Sequence, residues 1–196
     1  MSIAARRARE RAQRHQLIIT AARELAESEG WDAVTTRRLS ERVEYSQPVL
    51  YSHFKGKDAI VRAVAIEGFA ELASKLRAAR EASQEPDGDP KAVLRQVAMA
   101  YLDFARTHSA LYEAMFVMPI AVPFATEETP EELREAFGEF VRALEPVAGK
   151  YHPGTFAEVV WAALHGLATL THDRRIPAEH QQDRIDLLMD HLTRTG

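Results

Sequence analysis

The stretch from Thr35 to Ile60, TTRRLSERVEYSQPVLYSHFKGKDAI, constrains this chain more than any other. It contains two short helical segments separated by a tight turn, and a third helix then begins at a lysine. Thr35 is an N-cap type, because its hydroxyl can accept from a free backbone N–H, so the first helix is expected over Thr36 to Val43. Leu39 and Val43 lie four apart and face inward. Ser46 is again an N-cap type, and Pro48 falls in the first turn of the second helix, where a missing N–H costs nothing. Leu50 and Phe54 face the core at four-residue spacing. Glu44 occupies the turn, where a positive φ would cost a non-glycine residue about 1 kcal/mol.

The outer face of the second helix is compact, polar and rich in hydrogen-bonding side chains. It carries Gln47, Pro48, Val49, Tyr51, Ser52 and His53. Such a face suits a DNA groove better than it suits water. A helix-turn-helix inserts the first residues of its second helix among base edges. Gln pairs bidentately with adenine and Arg with guanine, each good pair giving roughly 1–3 kcal/mol of discrimination. The competing reading of the window is a plain helical hairpin with solvated charges.

In register, Thr35, Leu39, Tyr51, His53, Phe54 and Lys57 resemble the helix-turn-helix of the TetR family of bacterial repressors. The resemblance covers roughly the first third of the chain. It implies that Arg37 and Gln47 read bases, that Pro48 and Val49 make apolar base contacts, and that Thr36, Tyr51, His53 and Lys57 hold phosphates, with Ser52 on the same face. Glu44 departs from the glycine usual at the turn. Val49 and Ser52 depart from the expected hydroxyl and aromatic, which leaves the operator sequence open. Trp161-x-x-x-His165-Gly166 and Phe104-Ala105-x-x-His108-Ser109-x-Leu111-Tyr112 resemble a C-terminal domain found in one subgroup of the same family.

Net charge is −4, a poor match to a polyanionic partner until its distribution is considered. Residues 1–62 hold 12 Lys+Arg against 8 Asp+Glu, and residues 63–196 hold 13 against 21. Positive charge therefore gathers where the motif lies, and the acidic remainder is repelled by phosphate. Arg6, Arg7, Arg9, Arg11 and Arg14 precede the motif. They either reach phosphates or a minor groove, or form a frayed, solvated tail.

The remaining segments also read as helix, and the expected fold is all-α. A first helix is expected over residues 8–29, ending at Gly30. A long helix is expected from Lys57 to about Ser83, roughly 40 Å at 1.5 Å per residue. Glu85 to Pro90 reads as a turn, with Asp89 as N-cap and Pro90 at the first helical position. Ser109 is expected to cap a short helix through Val117. Met118 to Thr129 reads as irregular. Thr129-Pro130-Glu131-Glu132 has the form of a capping box. Helices are then expected to about Gly149, from Thr155 to about Thr171, and from about Ala178 to Thr193. The domains expected are 1–56, a three-helix DNA-binding unit, and 57–196, a helical effector-binding and dimerisation unit.

The last two helices carry the expected homodimer face: Phe156, Val160, Ala163, Leu164, Leu167, Ile185, Leu188 and Leu192, with Ala162, Gly166 and Ala168 permitting close approach. The alternative is that this face packs wholly within its own subunit. An effector cavity is expected to be lined by Tyr101, Phe104, Tyr112, Met115, Phe116, Met118, Phe124, Trp161 and His165, although each could equally be ordinary core. His165 and His172 share a helical face, but no third ligand is tied to them by spacing. No metal or cofactor is therefore expected.

The chain has no cysteine, and hence no disulfide frame or thiolate site. No apolar run reaches the ~18–20 residues of a membrane helix, and no signal-peptide core is seen. A soluble, cytoplasmic protein without membrane contact is expected. These features and the resemblance together imply a transcriptional regulator, a homodimeric repressor of a palindromic duplex operator released by a small-molecule effector. The rivals are a helical carrier or enzyme without specific DNA binding, and a non-specific architectural protein. No nucleophile elbow, glycine phosphate loop or paired-carboxylate motif supports an enzyme. The acidic second part contradicts an architectural protein.

Overall fold

The computed structural model describes residues 2–83, 89–119 and 122–193. Among these, regular structure is helical throughout. The helices are α1 (Ile3–Glu29), α2 (Thr36–Arg42), α3 (Gln47–His53), α4 (Lys57–Ala82), α5 (Pro90–Thr107), α6 (Ser109–Phe116), α7 (Glu131–Leu144), α8 (Pro153–His172) and α9 (Gln181–Thr193), with short 3-10 turns at Trp31–Ala33, Glu145–Val147 and Ala178–His180. Most of the turn expected at Glu85 to Pro90 lies outside the described residues. Its end is as expected: Asp89 accepts from the Lys91 amide and Pro90 opens α5.

The chain forms two compact units: Met1–Gly68 with Ala110–Pro123, and Phe69–Ser109 with Phe124–Gly196. The division expected at residue 56 is therefore displaced into α4, and α6 joins the first unit. The cause is apolar. Ile60, Val61, Val64 and Ala65 in the first turns of α4 are fully buried, so they serve the first unit's core.

In that core α1 contributes Ile18, Ala22 and Leu25, α2 contributes Leu39, and α3 contributes Leu50, with Phe54 just beyond it. Arg38 grips Glu29 with two bonds, at 2.7 and 2.8 Å, and Arg42 reaches Glu24 at 2.9 Å, so α2 is tied to α1. The Arg38 hydrogen bond leads the effects that hold the Glu29 carboxyl below its ordinary range. α6 enters the unit through its first turn. The Glu27 carboxylate accepts from the amides of Ala110 and Leu111, at 3.2 and 3.0 Å. This cap comes from α1, where Ser109 was expected to supply it. Beside it, Gly68 leaves room for α6: a Cβ there would stand 2.6 Å from Met115 Sδ.

The second unit packs α5, α7, α8 and α9 together with the last turns of α4. Tyr101, Phe104, Phe140, Val160, Leu164 and Ile185 are buried in it. Glu139 is also buried, and it accepts from Arg77 (2.9 Å), Arg80 (2.8 Å) and Arg142 (2.8 Å). Burial pushes its carboxyl up; the bonds from Arg142, Arg80 and Arg77 outweigh that and hold it at about 2. The capping box expected at Thr129 does not form. The Thr129 hydroxyl accepts from the Thr126 amide in the preceding turn, and Pro130 takes the cap position.

Candidate nucleic-acid interface

The turn between α2 and α3 sets the angle at which α3 is presented. Thr35 caps α2 as expected, accepting from the Arg38 amide at 3.2 Å. At the other end Val43 closes the helix and Glu44 takes φ 56°, while the Tyr45 amide donates to the Ser40 carbonyl at 3.0 Å. This is a Schellman closure with glutamate in the left-handed position. Ser46 begins α3 with its backbone alone: its carbonyl accepts from Val49 and Leu50, and its side chain makes no cap.

α3 buries Leu50 and exposes the face expected from the sequence. Gln47, Pro48, Tyr51 and Ser52 are exposed, and Val49 and His53 are half-buried. The Ser52 hydroxyl folds back on the Val49 carbonyl at 2.6 Å. Thr36 is half-buried at the start of α2. Arg37 stands in solvent and pairs with Glu41 at 3.0 Å one turn on. The exposed and half-buried groups of α2 and α3 are thus an amide, a guanidinium, a phenol and a small apolar edge.

Two residues of the expected phosphate set have surroundings that sequence reasoning missed. The Lys57 ammonium donates to the Trp31 carbonyl at 2.5 Å, leaving two of its three protons for other acceptors. The His53 Nδ1 atom is buried and has no hydrogen-bond partner among the described residues. Burial first, then the positive charges of Arg11, His15 and Arg14, lower the His53 pKa. His15 stacks on Phe54 with ring centroids 4.3 Å apart, and Arg11 donates to the Ser52 carbonyl at 3.2 Å. The N-terminal part of α1 therefore stands beside the end of α3. α1 begins at Ile3, five residues before the start expected at residue 8.

The nine residues expected around an effector divide between the units. Tyr112, Met115, Phe116 and Met118 belong to the first, where Tyr112 and Met115 are core. Tyr101, Phe104, Phe124, Trp161 and His165 belong to the second. There the Trp161 indole donates to the Tyr101 hydroxyl at 3.1 Å, and Phe124 is exposed. His165 is half-buried, and burial lowers its pKa. Among the described residues no three His, Asp or Glu side chains gather as a metal site, and no helix is long and apolar enough to cross a membrane.

The residues expected at a dimer face also divide. Phe156, Val160, Leu164 and Ile185 are buried inside their own unit and present no surface to a partner. Ala163, Leu167, Leu188 and Leu192 are half-buried. The exposed stripe of α8 runs instead through Val159, Ala162 and Leu170, with half-buried Gly166 along it leaving open space where a Cβ would stand, and Leu187 of α9 is exposed as well.

Comparison with known proteins agrees with this geometry. Residues 18–64 match the family model described as bacterial regulatory proteins, tetR family, and residues 94–195 match the tetracyclin repressor-like C-terminal domain. The tetracycline repressor protein class A of Escherichia coli is 38% identical over 94 residues, 47% of this chain and 43% of that protein. The chain spans about half the length of the curated relatives it matches. A protein of unknown function from Rhodococcus sp. RHA1 superposes with a TM-score of 0.77 at 23% identity, covering 92% of this chain and 94% of the other. BioQ, solved with its natural double-stranded DNA operator, superposes with a TM-score of 0.65 at 19% identity, covering 91% and 97%. Two family models that between them cover the helix-turn-helix and the helices after it, on a fold that is helical throughout, make this chain a member of the tetR family of bacterial regulatory proteins.

Proposed function

We propose that the chain binds a palindromic operator as a homodimer and represses transcription until a small apolar or amphipathic effector releases it. The observation that carries this reading is the exposed start of α3, with Gln47 and Pro48 outermost above a buried Leu50 and a closed Schellman turn. Gln47 and Arg37 read base edges, Val49 and Pro48 touch thymine methyls, and Thr36, Tyr51, His53 and Lys57 hold phosphates. The solved complex of BioQ with DNA supports the mode of docking on a shared fold.

One short recognition helix reads too few base pairs to be selective in a genome, so two related by a two-fold axis are needed. The Val159–Ala162–Gly166–Leu170 stripe with Leu187 is the face that supports pairing, since its small residues let helices approach closely. Effector release by a factor of one hundred needs about 2.8 kcal/mol of preference for the non-binding conformation.

Selection of genomic fragments bound by the full chain tests the reading. Selective, salt-sensitive binding is expected, and Gln47→Ala should relax the preference at one base pair by roughly 1–3 kcal/mol while keeping non-specific affinity. Equal loss on every sequence would remove Gln47 from base reading, and no selective binding by the unaltered chain would end the proposal.

A further inference from the structure

α1 is longer than the core it serves. Its inner face buries Ile18, Ala22 and Leu25. Residues four, seven and eleven positions before Ile18 lie on that same face, and they are Arg14, Arg11 and Arg7. The stripe thus turns from aliphatic to cationic where the packed core stops. Residues 3–13 are exposed except for half-buried Glu10, and residues 3–15 hold five arginines against one glutamate.

Local devices keep this exposed stretch helical. The Ser2 hydroxyl accepts from the Ala5 amide at 3.2 Å, and Glu10 pairs with Arg6 at 2.8 Å and with Arg14 at 3.8 Å. So short a helix is marginal in water by itself, but this one grows from a helix already nucleated by packing. It is also fastened in place, by Arg11 to the Ser52 carbonyl and by the His15 ring on Phe54. From His15 back to Ile3 it extends about 18 Å at 1.5 Å per residue. The exposed Tyr51 and Ser52 of α3 lie at its root.

We propose that this helical extension is a second DNA-contact surface, in which Arg7 and Arg14 bind the sugar-phosphate backbone flanking the half-site read by α3, and Arg11 is the positioning residue that sets its direction. The inference rests on the operator-binding reading above. The occupant is duplex DNA because the stripe is cationic and is anchored to the recognition helix itself. Contacts of this kind carry no sequence information but lengthen the footprint and steepen the salt dependence.

The test compares the full chain with Arg7→Ala/Arg14→Ala and Arg7→Lys/Arg14→Lys on an operator fragment selected by the unaltered protein. Affinity is followed against salt concentration, and hydroxyl-radical footprints mark the protected backbone. The alanine pair should keep its sequence preference, lose about 1.8 from the slope of log K against log salt for each protomer bound, and lose protection outside the half-site. The lysine pair should restore both, as a point charge on phosphate suffices. An alanine pair with unchanged slope and footprint edges, beside an unaltered protein that binds selectively, overturns the extension alone. Absence of selective binding by the unaltered protein overturns the operator reading and this inference with it.

Discussion

The indole N–H of Trp31 donates to the backbone carbonyl of Ala110 at 2.7 Å, across 79 residues of sequence. Trp31 is buried just before α2, and Ala110 lies in the first turn of α6. The Lys57 ammonium closes the set on the Trp31 carbonyl. With Glu27 capping the same turn of α6, the start of that helix is bound directly to the frame that aims α3.

Glu27 is exposed, yet Glu27→Ala should cost more than loss of a glutamate that accepts no backbone bonds. It leaves the Ala110 and Leu111 amides without their acceptor and removes a negative charge from a helix N-terminus. A loss of about 1–2 kcal/mol in urea unfolding is expected. Trp31→Phe removes the bond to the Ala110 carbonyl and also shrinks a buried ring, so it should cost more, about 2–3 kcal/mol. A Glu27→Ala protein as stable as the parent would show that the cap contributes nothing.

If His53 holds a phosphate as proposed, stability and DNA binding should respond oppositely to acid. Its folded-state pKa is below the ordinary value of 6.5, through burial and then the charges of Arg11, His15 and Arg14. The unfolded chain takes the proton more readily, so this contribution to stability is complete above pH 6.5 and is lost as pH falls below it. A phosphate against the imidazole favours the protonated form, so operator binding should take up a proton and tighten between pH 7.5 and 6. His53→Gln should flatten both profiles, and an unchanged pH dependence of affinity in that variant would take His53 off the phosphate set.

Glu139 carries an acid-sensitive share of the second unit's stability. Its folded-state value of about 2 lies below the ordinary 4.5, so the stabilisation is present above pH 4.5 and is lost as pH falls towards 2. Glu139→Gln leaves Arg80 nearly buried without its carboxylate, while Arg77 and Arg142 remain solvated. A cost of about 2–3 kcal/mol at pH 7 is expected, narrowing to little only near pH 2. Chemical denaturation of both proteins across this range measures the difference.

Val159→Glu places a charge in the middle of the exposed α8 stripe. Dimer dissociation should increase at least a hundredfold in sedimentation velocity, while urea unfolding at concentrations where both proteins are monomeric stays nearly unchanged, because Val159 is solvent-facing in the single chain. Val160→Glu, one residue on, should instead prevent folding, since Val160 is fully buried. Equal dimerisation by the parent and Val159→Glu would move the pairing face elsewhere.

Much of the DNA-reading unit was legible in the residues alone. Thr35 as a cap, the left-handed strain at Glu44, Leu39 and Leu50 turned inward and the outward face of α3 all follow from interactions within a few positions of one another. Pro90 behind Asp89 belongs to the same class, because capping and proline geometry are local. What needed tertiary structure was every choice between faces and every distant partner. α8 is apolar nearly all round, so periodicity cannot say whether Val160 or Val159 turns inward; packing against α5 and α7 decides it. Glu27 and Ala110 stand 83 residues apart, and nothing in the spacing joins a glutamate in the last turn of one helix to another helix's amides. The arginines before Ile18 spell a cationic stripe in sequence, but only the bond from Arg11 to Ser52 and the ring of His15 on Phe54 give that stripe a direction. Local rules act through covalent neighbours and can be read in order. Burial and long-range capping depend on which surfaces meet, and that exists only once the chain has folded.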